Sequence, residues 1–131
     1  MLAILLGAVA MFAVGAVWFT VLFGKTWSRL MNFTPEQNQK AMEGGMASKM
    51  VVMFVLNLIS ASVLRYLAPQ LLALSYTEFL MPVFVIWLGF TLPSLINTYL
   101  WEGKSMQLVL INAGGSLAAF IAGSAAVFFI K

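Results

Sequence analysis

Val85 to Ser116 reads VIWLGFTLPSLINTYLWEGKSMQLVLINAGGS, two apolar segments joined by Trp101-Glu102-Gly103-Lys104-Ser105. The pattern predicts a transmembrane hairpin. Polar side chains sit inside it: Thr91, Ser94, Asn97 and Thr98 before the turn, Asn112 and Ser116 after it. An unpaired hydrogen-bonding group is costly in lipid, so these positions are expected to face protein or trapped water.

Outward from this hairpin, the whole chain has the same character. Of 131 residues, 63% are hydrophobic and 8% charged, against about 45–50% apolar and about 25% charged in soluble domains. A soluble domain of about 150 residues buries only about 70% of its unfolded surface, too little to hide this composition. Cysteine, histidine and aspartate are all absent, which excludes disulfides, thiolate or imidazole metal ligands, and Cys or His catalysis. The four glutamates, Glu36, Glu43, Glu78 and Glu102, lie near span ends or in loops. No acid–base pair, activated nucleophile or metal site is legible, and the expectation is a protein that is not an enzyme, with no cofactor and no metal. The net charge of +3 is small and scattered, which argues against a nucleic-acid partner.

The predicted fold is all-α: an integral membrane four-helix bundle in a single transmembrane domain, 1–131, with spans at about 2–23, 47–67, 79–100 and 106–130. Each is close to the twenty or so residues that cross the hydrocarbon core. No basic region precedes the first apolar run and no cleavage-like site follows it, so it reads as a retained helix, not a signal peptide. Between the first two spans, Gly24 to Thr34 reads as an amphipathic interfacial segment with Trp27, Leu30 and Met31 on one side and Lys25, Arg29 and Asn32 on the other. Lys25 and Arg29 are candidates for a lipid headgroup, with simple anchoring as the alternative. Thr34-Pro35-Glu36-Gln37 has the form of a helix start. Met42, Met46, Met50 and Met53 share a helical face, which reads as packing surface more readily than as a thioether site for Cu(I). Lys49 is placed to snorkel to the interface, whereas Asn57 falls mid-span and needs a partner.

In the third span Pro93 withdraws the hydrogen bond that would reach the Gly89 carbonyl, predicting a kink with a free acceptor. Folding the hairpin about Gly103 sets Ser94 and Asn112 at similar depth. Asn57, Trp87, Ser94, Asn97 and Asn112 therefore form a candidate neutral pocket for water, a small neutral solute or a lipid headgroup. In the fourth span Gly115, Ala119 and Gly123 make a small-residue ridge for close helix packing, inside the subunit or between subunits. The turns Phe23-Gly24-Lys25-Thr26-Trp27 and Glu102-Gly103-Lys104-Ser105-Met106 share wording that would suit a parallel repeat. A phosphate loop is excluded, because the required earlier glycine is replaced by Phe19 and Thr98.

Trp18-Phe19, Phe23-Gly24-Lys25, Trp27, Trp87-Leu88-Gly89-Phe90, Glu102-Gly103-Lys104-Ser105 and Ile111-Asn112-Ala113-Gly114 together resemble a family of small bacterial and fungal membrane proteins of unknown function. The resemblance spans nearly the whole chain. It implies a four-helix architecture and brings no activity or catalytic residue. Members often carry Trp-Tyr where this chain has Trp18-Phe19, and a larger residue in place of Gly115.

Two roles remain. One is a structural or accessory membrane component acting as a homodimer or small homo-oligomer. The other is passive permeation, or binding of a small solute or lipid headgroup, through the neutral pocket. Lys25, Arg29, Lys40, Lys49 and Lys104 on one side against Arg65 and Lys131 on the other favour cytoplasmic first and third loops with both termini outside, and the resemblance to bacterial membrane proteins implies an inner membrane.

Overall fold

The computed structural model describes residues 1–31, 46–72 and 74–130, with the Met46 side chain left out. The predicted helix start at Thr34 and the residues Met42, Gly44 and Gly45 lie outside them. Among the described residues every regular element is helical. In chain order they are α1 (Leu2–Ala16), a π-helical turn (Val17–Leu22), α2 (Gly24–Leu30), α3 (Met46–Gln70), α4 (Tyr76–Ile86), a second π-helical turn (Trp87–Thr91), α5 (Leu92–Glu102) and α6 (Met106–Phe129). Four continuous helical stretches, Leu2–Leu22, Ala47–Gln70, Tyr76–Glu102 and Met106–Phe129, are long and apolar enough to cross a membrane. They are called spans one to four below.

Local chemistry sets the ends. Ser75 caps span three by accepting a hydrogen bond from the Glu78 N–H, while the Glu78 carboxylate reaches back to accept from the Leu74 N–H at 2.8 Å. This reciprocal cap starts the helix three residues before the expected Phe79. Ser105 caps span four in the same way, accepting from the Leu108 N–H at 3.1 Å. Span three stops at Gly103, whose φ of 71° is open to glycine, and the Gly103 and Lys104 N–H groups both donate to the Thr98 carbonyl. The second span was expected to end at about 67, but α3 carries Pro69 within its last turn and ends at Gln70.

The kink expected at Pro93 takes a different form. The Leu92 N–H donates to the Trp87 carbonyl, five residues back, so a π-turn widens the helix just ahead of the proline and absorbs its missing donor. Gly89 lies within this turn, and a Cβ built there meets nothing within 4 Å. No described residue packs closely against it. The repeat suggested by the two Gly-Lys turns also fails locally: Gly103 is left-handed, whereas Gly24 opens α2 after Phe23 at φ −126°, ψ 12°.

Spans one, two and four form the packed unit, and span three lies against span four. The core joins Ala8, Met11, Ala61, Leu64, Phe79, Val83 and Val127. Lipid tails are as apolar as leucine, so close backbone approach, not water exclusion, holds such helices together. Gly7 shows how close: a Cβ there would lie 3.1 Å from Val127 Cγ1 and 3.6 Å from the Gly123 carbonyl oxygen.

Candidate functional site

The ridge on span four faces inward, against span one. A Cβ on Gly115 would stand 2.8 Å from Trp18 Cδ1 and 3.0 Å from the Phe19 ring, and one on Gly114 would stand 2.8 Å from Trp18 Cζ2. The indole thus lies over two successive glycines, and its Nε1 donates to the Ile111 carbonyl at 2.9 Å. Lower in the same seam Gly123 meets Met11, with 2.6 Å from its would-be Cβ to the sulfur. The ridge is an internal helix contact.

Beside this seam, towards the C-terminal end of span one, opens a cleft of about 410 Å³. Span one supplies Phe12, Gly15, Ala16, Phe19 and Thr20, which follow one helical face; α2 adds Trp27 and Met31; α3 adds Lys49, Met50 and Met53; and α6 adds Asn112. The Phe19 and Trp27 rings meet edge to face at 6.0 Å, so α2 is folded back as one wall. From Leu22 down to Phe12 the helix descends about 15 Å, half of a hydrocarbon core of about 30 Å. The cleft is therefore about one leaflet deep, with apolar walls, two polar groups at Thr20 and Asn112, and the Lys49 cation. The Thr20 hydroxyl donates to the Ala16 carbonyl; the half-buried Asn112 amide makes no hydrogen bond to a described residue. Its volume lies in the range of small-ligand sites.

A family model for a protein of unknown function, DUF1761, matches residues 2–128. The chain belongs to the DUF1761 family. Comparison with curated proteins and with solved structures gives no match. The DUF1761 match agrees with the resemblance carried by the Trp18, Trp87 and Asn112 motifs, and the four membrane-length helices agree with the architecture it implied.

In this DUF1761 chain the five residues of the predicted neutral pocket are not gathered in one place. Ser94 is exposed and its hydroxyl donates to the Phe90 carbonyl at 3.0 Å, within its own helix. Asn97 is exposed on α5. Asn112 opens into the cleft on the far side of span four, among residues of spans one and two. Asn57 is half-buried on α3. Trp87 is buried, at 7% exposure, stacked 5.8 Å from Phe84, and its Nε1 has no acceptor among the described residues. The π-turn shifts the helical phase between Trp87 and Ser94, which sets the two on different headings along span three. Lys25 and Arg29 are exposed on α2, the element that walls the cleft.

The sequence reading passed over two groups. The Tyr76 hydroxyl lies 3.0 Å from both the Ile121 carbonyl and the Ser124 oxygen, and Ser124 is fully buried with its hydroxyl 2.9 Å from the same carbonyl, so with Ser124 donating to Ile121 the single Tyr76 proton goes to one of the two. This clasp ties span three to span four at the end opposite the cleft. Lys49 was treated as a snorkelling residue alone; its spacing of four from Met53 already placed both on one face.

Proposed function

We propose that this protein is a non-catalytic structural or accessory component of a bacterial inner membrane, acting as a homo-oligomer through span three, with both termini outside the cytoplasm. Span three supports the reading best. It touches the rest of the subunit mainly through span four and leaves Phe90, Ser94, Asn97 and Trp101 exposed. Asn97 has no hydrogen-bond partner among the described residues. An amide in that condition is poorly matched to lipid, and a second copy offers the same amide in return. Elsewhere the hydroxyls of Ser62, Thr98 and Ser124 bond to backbone carbonyls of their own helices, and the Trp18 indole bonds across to span four, which is the behaviour of helix ties. The exposed positions of Ser94 and Asn97 on span three, with Asn112 in the cleft, support this reading over passive permeation.

The test is self-association of the purified chain in bilayers. The intact protein should form dimers or small oligomers. Asn97→Leu should weaken them by about threefold to about fifteenfold, the span of measured interhelical hydrogen bonds, with no loss of subunit stability. A chain that stays monomeric at high density in the bilayer defeats the oligomer reading. For orientation, single cysteines can be placed in this cysteine-free chain: Lys104→Cys should resist impermeant thiol reagents applied from outside, and Leu74→Cys should react.

A further inference from the structure

We infer that the cleft between span one, α2, α3 and α6 binds one acyl chain of an acidic phospholipid from the leaflet at that end, with the headgroup held at Lys49. This is independent of self-association through span three, which lies on another side of span four. The shape supplies the first part. The walls are Phe12, Phe19, Trp27, Met50 and Met53, and the depth matches one leaflet, so a chain entering from the headgroup region is accommodated along its length without crossing the midplane.

Charge supplies the second part. Lys49 is the cation in the lining, and α2, which closes one side of the mouth, carries Lys25 and Arg29 exposed. Among the described glutamates, Glu78 belongs to the opposite end of the molecule and Glu102 closes span three outside the lining; Glu36 and Glu43 lie outside the described residues. A cation above an apolar slot selects an amphiphile with a negative head, since a zwitterionic head gains less from the lysine. Asn112 adds a third point. Its half-buried amide lines the slot with no hydrogen-bond partner among the described residues, at a depth of about 9 Å from the start of α6 at Met106, where it can meet the ester group of a chain whose phosphate sits at the rim. Methionine and aromatic walls suit this occupant because thioethers adapt to a flexible chain.

Trp27 is a built-in reporter of the slot. In the full chain carrying Trp101→Phe, which removes the most exposed indole at 85%, tryptophan quenching is measured in phosphatidylcholine vesicles. These hold a small fraction of phosphatidylglycerol or phosphatidylcholine brominated on the acyl chain. The brominated phosphatidylglycerol should bind about fivefold more strongly, the effect of one basic residue at the surface. Lys49→Gln, at an exposed position, should bring the ratio close to one, while Lys25→Gln, outside the lining, should preserve it. Gly15→Leu should reduce quenching by both lipids, because a side chain there points towards the movable end of Met53, with its Cβ 3.3 Å from Met53 Cε. Soluble glycerol phosphate should not relieve the quenching. A ratio near one in the unsubstituted lining, equal loss in Lys25→Gln and Lys49→Gln, undiminished quenching in Gly15→Leu, or relief by glycerol phosphate would each overturn the assignment.

Discussion

Trp18 and Trp87 mark two seams on span four that are built to different standards. Both indoles sit in a π-turn, and both lie against span four's neighbourhood. Trp18 lies over Gly114 and Gly115 and donates to Ile111 across the seam. Trp87 is buried yet donates to no described residue, and none of these packs against Gly89 beside it, where a packed seam would have a neighbour. The first seam is complete in the single chain. The second is left with an unmet donor and, further along α5, an exposed asparagine. The difference teaches that spans one, two and four are a finished unit, whereas span three retains surface whose satisfaction depends on something else.

The comparison breaks most visibly at Gly115. Gly115→Leu should cost about 3 kcal/mol, read as unfolding of the reconstituted protein in denaturing detergent, because rigid Trp18 and Phe19 rings occupy the space. Gly123→Leu should cost less, about 2 kcal/mol, since its neighbour Met11 has more rotamers. If either variant matches the parent in stability, the seam is looser than its geometry. The two tryptophans sharpen the contrast further. Trp18→Phe and Trp87→Phe remove similar ring surface, but only the first breaks a hydrogen bond and only the second relieves an unpaired donor, so Trp18→Phe should be the more destabilising by about 2 kcal/mol. Equal costs would mean that the Trp87 N–H finds an acceptor in the bilayer, and the second seam would then be as complete as the first. The smallest effect is expected at Gly89→Ala, within about 0.5 kcal/mol of neutral, as no atom lies near its Cβ.

The fold was largely legible because four apolar runs of membrane length and their caps are local features. Ser105 and Gly103 announce the last turn by residue type alone, and Gly115 and Gly123 announce a close helix contact by spacing. What the small-residue pattern could not name was the partner: the ridge meets span one, and the signal for that was Trp18 itself, large enough to cover Gly114 and Gly115. The candidate site was less legible. Asn112 stands out in the sequence as a polar group within a span, but its neighbours in the cleft come from spans one and two, and a hairpin argument considers only spans three and four. Ser94 and Asn97 were assigned to the same pocket by depth, a one-dimensional measure; the azimuth was altered by a π-turn, which leaves no mark in residue composition. Lys49 and the apolar face from Phe12 to Thr20 carry a pattern that was readable, though each half becomes a cleft wall only when α2 folds back through Trp27 onto Phe19.

The first π-turn has a consequence for how the gene can change. One extra residue accommodated in the turn leaves the following chain about 100° less far around the axis than the same number of residues in uninterrupted α-geometry would. In span one this falls between Met11, on the seam, and Trp27, on the cleft wall, so the heading of α2 is set by counting residues. Val21, at 76% exposure within the turn, should accept almost any apolar replacement. Its deletion should turn the segment into plain α-helix with Trp27 still against Phe19, whereas an added residue would swing Trp27 away. Lineages descended from this chain are therefore expected to vary freely in letter between residues 17 and 22 and to shorten, but not lengthen, that segment by a residue.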